Sequence, residues 1–242
     1  MADRLKNVLK SLLSSTGLFV GRQFANRVTG YELARDLNQI VKLDNPLCFD
    51  VGANRGQTIE LLQDCFRHPV IHAFEPASTT YADLQKRQFG SSVHLHPIAF
   101  GERVEAAEFR NYKHSELNSF LTMNRDHTEN LFAEEELVQV ETVQVDTLDR
   151  FCAEHGIEHI DLLKIDTQGF ELPVLRGGEN LLRQKRVGAV LLELNFSLLY
   201  EGQSDYLQLM TLLRAHGLRL IDLYEKERIS GRELSWATAL FA

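Results

Sequence analysis

Phe49-Asp50-Val51-Gly52-Ala53-Asn54-Arg55-Gly56 is the stretch of sequence that decides the fold. An apolar run ends in an acidic residue, two glycines follow four positions apart, and the polar pair Gln57-Thr58 comes next. This pattern predicts a buried strand that turns sharply into a helix, because Gly52 can adopt backbone torsions that a Cβ atom would forbid. Gly56 would let the helix pack closely on the strand. The helix N-terminus would then present free N–H groups to a nucleotide-like ligand.

The spacing of these glycines distinguishes between classes of nucleotide ligand. Gly52 and Gly56 form a Gly-x-x-x-Gly pattern, whereas dinucleotide-binding folds carry Gly-x-Gly-x-x-Gly. The pattern therefore favours S-adenosylmethionine (SAM) over NAD.

Length and composition exclude several classes of protein. The 242 residues suffice for one large α/β domain, and the net charge of −8 provides no basic field that would attract nucleic acid. No apolar run is long enough to span a bilayer, so we expect no transmembrane segment. The three cysteines are scattered and odd in number, which predicts small buried side chains in a reducing, cytoplasmic compartment.

The first 45 residues form a segment of their own. Apolar side chains recur there at helical spacing, which predicts an amphipathic helix that docks on the domain or on a second copy of the chain as a homo-oligomer. Contact with a membrane surface is the alternative. Pro46 marks the boundary, so we predict a helical extension over 1–45 and a domain over 46–242. The apolar residues of the helix are Leu5, Val8, Leu9, Leu12 and Leu13.

Strands and helices alternate from residue 46 onwards, which predicts an α/β fold with a Rossmann-like, doubly wound sheet of seven mostly parallel strands. Within it we expect a helix over Ser78–Phe89 and a strand over Val93–Ile98. Leu218–Tyr224 and Leu234–Phe241 would close the sheet as an antiparallel hairpin. The polar residues 112–136 lack a clear period, and a loop of that length is typical of a lid or an acceptor-binding segment.

Acidic residues follow several of the predicted strands, at the sheet edge where ligands bind in this fold. Glu75 comes 25 positions after Asp50 and is placed to accept hydrogen bonds from ribose hydroxyls. Asp166 emerges at the tip of a later strand. Lys164 and Glu193 lie in neighbouring apolar strands and would form a buried ion pair, because neither is expected to be buried without a partner.

Three motifs lie at these strand ends. They are Asp50-x-Gly52-Ala53-Asn54-x-Gly56, Phe74-Glu75-Pro76 and Asp161-Leu162-Leu163-Lys164-Ile165-Asp166-x-x-Gly169-x-Glu171-x-x-Val174-Leu175-x-Gly177. In these motifs the chain resembles the FkbM-type methyltransferases, a family of class I SAM-dependent methyltransferases, over roughly residues 45–242.

The resemblance implies O-methylation of a sugar or of a hydroxyl-bearing small molecule or natural product. It implies that the Gly52–Gly56 turn and Glu75 hold SAM, with Asp166 beside it. The family often has an acid where this chain has Gln168, so any role of that acid is absent here. The expected SAM contacts are Asp50, Gly52, Ala53, Asn54, Gly56, Gln57, Thr58, Glu75, Pro76, Ala99 and Asp166.

The expected chemistry is in-line displacement of the methyl group by a substrate oxygen, helped by a general base because an alcohol is a weak nucleophile. Asp166 is the first candidate base, followed by His114 and Glu193. A Mg²⁺ ion held by Asp166, Glu193 and Asn195 is an alternative that we do not favour.

Two other functions compete with this interpretation. A NAD-dependent oxidoreductase would require a third glycine that the turn lacks. A non-catalytic partner module with a SAM-type fold would show no turnover. The sequence does not identify the acceptor, which residues 1–45 and 112–136 would shape.

Overall fold

The central element of the fold is a seven-stranded sheet, seen in a computed structural model that describes residue 28 and residues 30–242. The strands of the described residues are β1 (Leu47–Val51), β2 (Val70–Phe74), β3 (Val93–His96), β4 (Ala99–Phe100), β5 (Glu105–Tyr112), β6 (Leu137–Asp146), β7 (Ile160–Ile165), β8 (Val187–Asn195), β9 (Leu220–Ile229) and β10 (Glu233–Phe241). The sheet order is β3-β2-β1-β7-β8-β10-β9. All neighbours pair in parallel except β10, which is antiparallel to both β8 and β9. The predicted doubly wound sheet and its closing hairpin are confirmed.

Helices cover both faces of this sheet. They are α1 (Leu33–Val41), α2 (Gln57–Cys65), α3 (Ser78–Gln85), α4 (Leu148–Glu154), α5 (Glu171–Gly177), α6 (Glu179–Arg183) and α7 (Tyr206–Ala215). Side chains of β1 alternate between two cores: Cys48 packs with α1, α2 and α3, and Phe49 packs with α4 to α7. This alternation follows from the period of two along a strand and explains why the strands read as apolar runs.

A second, three-stranded sheet has the order β4-β6-β5. The sequence predicts strands over Ala106–Asn111 and Val138–Val145 but does not show that they leave the main sheet. The long antiparallel pairing of β5 with β6 holds them together, and Phe109, Val143 and Val145 bury their side chains in a small core of their own. The residues between these strands include a single 3₁₀ turn, Ser115–Leu117.

Two predicted elements are longer than those observed. The helix expected to reach Phe89 ends at Gln85, because Phe89 turns back towards α2, where Gln63 Nε2 donates to its carbonyl oxygen at 2.7 Å. The strand expected to reach Ile98 ends at His96, since Pro97 has no N–H to continue the ladder.

Three remaining expectations concern the N-terminus, the cysteines and the membrane. The predicted helix of residues 5–13 lies outside the described residues. The three cysteines are buried and unbonded, as the sequence predicts, and burial raises the pKa of the Cys65 thiol to about 11. The cytoplasmic location stays a prediction. Within the described part of the chain, no helix combines the length and the apolar character that crossing a bilayer requires.

Candidate active site

A cavity of ≈570 Å³ opens at the carboxyl ends of the parallel strands, a volume typical of small-molecule sites. We call the part above β1 and β2 the glycine end; its lining residues are Gly52, Ala53, Asn54, Gln57, Thr58, Glu75 and Pro76. We call the part above β7, β8, β10 and β9 the carboxylate end; its lining residues are Asp166, Gln168, Glu193, Glu225, Trp236 and Thr238. Ile98, Ala99 and Phe100 add an apolar wall.

The turn after β1 has the torsions that the sequence predicts, for a different reason. Gly52 has φ +81°, and a Cβ atom there would lie 1.9 Å from the carbonyl oxygen of Asp166. The glycine is therefore required by the close approach of the β7 backbone, which the protein itself imposes. Gly52 and Ala53 both donate to the Phe74 carbonyl at 3.0 Å, and Asp166 N–H donates to the Val51 carbonyl at 3.0 Å. These bonds join the ends of β1, β2 and β7.

The helix that follows this turn presents an uncapped N-terminus to the cavity. Gly56, at the N-cap with φ +88°, has no side chain to bond the first turn, and a Cβ atom there would meet Phe89 and Leu84. Glycine is therefore required here because the turn packs against the end of α3 and the segment that follows it. Gln57 and Thr58 line the cavity, where free N–H groups and the helix dipole favour an anionic group.

Glu75 is fixed by the backbone at the glycine end. One carboxylate oxygen accepts from the Asn54 N–H at 2.9 Å and the other from the Ala77 N–H at 2.9 Å. The side chain is almost fully buried yet lines the cavity, and burial raises its pKa to about 7. Each oxygen keeps a lone pair that can accept a hydroxyl of a ligand.

Asp50 does not line the cavity but supports it from below. Its carboxylate is fully buried and lies 3.0 Å from the Lys164 ammonium, which also donates to the Gly52 carbonyl at 2.9 Å. Burial acts to lower the pKa of Lys164, and the carboxylates of Asp50 and Asp166 outweigh it and raise that pKa. The ammonium is therefore held charged beneath the glycine turn.

The predicted Lys164–Glu193 pair is wrong. Strand register sets Lys164 beside Asp50 on β1 and beside Leu191 on β8, so the nearest carboxylates are those of Asp50 at 3.0 Å and Asp166 at 3.7 Å. Sequence reasoning identified the need for a counter-ion and assigned it to the wrong neighbouring strand, because strand order was not known.

Asp166 and Glu193 meet through an amide at the carboxylate end. Gln168 Nε2 donates to Asp166 at 2.8 Å and lies 3.4 Å from Glu193. The Tyr200 hydroxyl, 3.0 Å from Gln168 Oε1, orients the amide. Burial, followed by the charges of Asp166 and Glu171, raises the pKa of Glu193 well above its usual range. A raised pKa makes the ionised form of this carboxylate a stronger base.

Glu171 supports the same strand end from within the protein. One of its oxygens accepts from Thr167 N–H at 3.1 Å and from Gly169 N–H at 3.0 Å, and the side chain is buried. It therefore fixes the turn in which Gln168 takes φ +53°. The motif quoted above contains Glu171, but its task becomes clear only from these contacts.

The segment predicted to form a lid lies along one side of the cavity. Ser115 donates to Asn54 Oδ1 at 2.8 Å, and Ser119 donates to the Gln168 carbonyl at 2.8 Å. The segment thus contacts both ends. His114 does not line the cavity; its exposed ring lies 2.8 Å from Glu135 instead.

Several lining residues escaped sequence reasoning. Trp236, Thr238 and Glu225 come from the closing hairpin, and Thr238 donates to Glu225 at 2.7 Å. No local motif marks them, since the hairpin reaches the cavity only through the pairing of Thr238 with Glu193 on β8. Tyr200 lies in a loop whose sequence also carries no recognisable motif.

The three residues considered as Mg²⁺ ligands do not all face the cavity, since only Asp166 and Glu193 line it. Asn195 is buried and does not line the cavity. Among residues 28 and 30–242, no group of three or more His, Cys, Asp or Glu side chains has an arrangement that could hold a metal ion.

A comparison with known protein families matches the part of the chain that contains these site residues. The family model described as "Methyltransferase FkbM domain" matches residues 50–220, which include the glycine turn, Glu75, Asp166 and Glu193. This chain belongs to the FkbM methyltransferase family. The resemblance inferred from the motifs is confirmed, and the oxidoreductase alternative is set aside because the family is one of methyltransferases.

Two individual proteins illustrate the relationship. The FkbM-family chain is 24% identical over 206 residues to the 2-O-methyltransferase NoeI of Sinorhizobium fredii, covering 79% of this chain and 82% of NoeI. It also superimposes on the crystal structure of methyltransferase FkbM from Methylobacillus flagellatus with a TM-score of 0.52 and 16% identity. That alignment covers 82% of this chain and 43% of the larger structure, and it supports the shared fold.

Proposed function

We propose that this FkbM-family protein transfers a methyl group from SAM to a hydroxyl of a sugar or of another hydroxyl-bearing small molecule. The observation that carries the proposal is the single cavity in which the buried, backbone-fixed Glu75 and the bridged carboxylates Asp166 and Glu193 lie at opposite ends. The name of the relative NoeI, a 2-O-methyltransferase, supports an oxygen acceptor.

The glycine end fits an adenosine ligand bearing an amino acid. The free oxygen lone pairs of Glu75 suit two ribose hydroxyls, the apolar wall of Ile98, Ala99 and Phe100 suits a purine, and the N-terminus of α2 suits a carboxylate. When bound, SAM would supply the methyl group on a positively charged sulfur. We propose that Asp50 and Gly56 act indirectly, through Lys164 and through helix packing.

At the carboxylate end, we propose Glu193 as the general base. Its raised pKa makes it able to take a proton from an alcohol, whereas Asp166 is held by the Lys164 ammonium and the Gln168 amide and is suited to positioning. His114 becomes the last choice because it faces away from the cavity. Residues 112–136 would act as the lid that excludes water and orients the acceptor.

The charge of the cavity supports an uncharged acceptor. Lys164 is the single Lys or Arg among the described lining residues, and Asp50 already pairs with it. Glu116, Asp166, Glu193 and Glu225 face the same space. A phosphate or carboxylate on the acceptor would meet like charges, so neutral glycosides and polyols are the expected class.

Transfer of a radiolabelled methyl group from SAM to a panel of neutral methyl glycosides tests the proposal. We expect label in an ether product, lost by at least 100-fold in Glu193→Gln and kept within about threefold in Glu179→Gln, which replaces an exposed glutamate outside the cavity lining. Label found only in amines or thiols would contradict the proposal, and an absence of transfer to any acceptor would favour the non-catalytic module. Unchanged transfer after EDTA treatment would exclude a Mg²⁺ requirement, and the loss of transfer would establish one.

A further inference from the structure

In the part of the chain that the structure describes, one strand edge of the second sheet has no partner over most of its length. β5 pairs with β6 along most of the length of β6, whereas on the other side β4 pairs only with Val145 and Asp146. Leu137, Val138, Gln139 and Val140 are all exposed, with Val138 64% and Val140 45% accessible. The structure assigns this edge an occupant: we propose that a second copy of the chain pairs with it, joining the two small sheets into one across a twofold axis.

Hydrogen-bond direction shows which groups face the open edge. Arg110 exchanges backbone hydrogen bonds with Ser119, at 2.8 and 3.1 Å, on the side of β5 away from β6. The pair Arg110–Val140 is therefore the non-hydrogen-bonded kind, and the N–H and C=O of Val140 point away from β5. By alternation the same holds for Thr142. Each group is a ready donor or acceptor for another strand.

This edge has few of the features that normally prevent pairing. Soluble proteins protect edge strands with lysine, proline or inward charges. The segment from Leu137 to Gln144 contains no lysine, proline or glycine, and its single charged residue is Glu141. Glu141 lies on the face of Phe109, where its Oε1 accepts from Ser78 N–H at 3.2 Å and from Asn111 Nδ2 at 2.6 Å, so its Oε2 is left for a partner strand. The irregular pairing near Asn111 and Tyr112 falls at its beginning and leaves the middle of the strand regular.

The charge of Glu141 selects the register of the pair. Antiparallel pairing centred on Glu141 would set two carboxylates face to face, which is unfavourable. Pairing centred on Val140 sets Val140 opposite its own copy, Val138 opposite Thr142, and Gln139 opposite Glu141, whose carboxylate can accept from the glutamine amide. The exposed valines are then covered by the partner strand. A second copy is the natural occupant because the strand is complementary to itself in this register.

Light scattering of the full chain during size-exclusion chromatography tests the pairing. We expect a dimer for the native chain, a monomer for Val140→Lys, in which two lysines would meet at the axis, and a dimer for Val104→Lys. Val104 is 54% exposed and lies outside the edge, so it is a matched control. A native monomer, or a dimer that Val140→Lys leaves intact, would overturn the proposal.

Two further variants test the register. Gln139→Lys places a cation opposite Glu141 of the second copy and should lower the dimer dissociation constant about two- to fivefold, whereas Gln139→Glu should raise it by a similar factor. A short bifunctional thiol reagent should cross-link Val140→Cys, because two copies of residue 140 meet at the axis, and should not cross-link Val104→Cys. The three native cysteines are buried, so they should not contribute to the reaction. If both Gln139 variants changed the dimer dissociation constant equally, this register would be excluded.

Discussion

The two ends of the cavity are held in place by different kinds of contact, backbone contacts at one end and side-chain contacts at the other. At the glycine end, the backbone fixes the ligand-facing groups: the turn after β1 binds the Phe74 carbonyl, and two N–H groups hold Glu75. At the carboxylate end, side chains fix one another, with Tyr200 orienting Gln168 and Gln168 bridging Asp166 and Glu193. A backbone-built site is specified by a short segment, and a site built from side chains depends on residues far apart in sequence.

The largest expected effect is at the joint between the two ends. Gly52→Ala would drive a Cβ atom into the Asp166 carbonyl oxygen at a φ of +81°, so we expect the free energy of unfolding to fall by about 5 kcal/mol. Gly90→Ala is the control, since Gly90 has φ +92° and no atom within 4 Å of the added carbon. It should cost about 1 kcal/mol in urea unfolding. Equal losses in both variants would show that the close approach of β1 and β7 is unimportant.

The next effect comes from the ion pair that supports both ends. Lys164→Met would leave the buried Asp50 carboxylate without its cation, and we expect a loss of about 4 kcal/mol in the free energy of unfolding. The double variant with Asp50→Leu should recover a large part of that loss, because neither charge of the pair is then left without its partner. A double-mutant cycle in urea measures the coupling, and simple additivity would contradict the assigned pair.

The third effect is a pH dependence of stability that comes from two histidines outside the cavity lining. His72 and His96 stack on each other, His96 also stacks on Phe74, and neither histidine lines the cavity. Burial lowers both pKa values to about 4. The unfolded chain binds more protons below about pH 6.5, so stability is complete above that value and declines as the pH falls towards 4. We expect a loss of about 2 kcal/mol, discounted for the partial exposure of both rings. Urea unfolding at each pH measures this loss, and the loss of unfolding free energy should be clearly smaller in His72→Phe.

The smallest effect addresses the glycine end alone. Glu75→Gln puts an NH₂ group against one of two backbone N–H donors, so S-adenosylhomocysteine should bind about 10- to 30-fold more weakly, which corresponds to about 1.4–2 kcal/mol. Glu225→Gln, at the other end of the cavity, should leave that affinity unchanged. An equal effect of both variants in calorimetry would contradict the division of the cavity into two ends.

The same contrast explains how much could be predicted. The turn at Gly52, Glu75 and the doubly wound sheet follow from local pattern, since each depends on residues close in sequence. The partner of Lys164 and the bridge through Gln168 depend on strand order and on Tyr200, which no period marks. Trp236 and Thr238 reach the cavity through the register of β10 on β8, a long-range pairing that a single sequence does not reveal.

The most direct test of the account is calorimetric titration of the native chain with S-adenosylhomocysteine and, separately, with NAD. We predict saturable binding of one S-adenosylhomocysteine per chain and no heat from NAD, because we propose that Glu75 and the Gly52 turn form an adenosine site of the methyltransferase kind. Binding of NAD without binding of S-adenosylhomocysteine would contradict it.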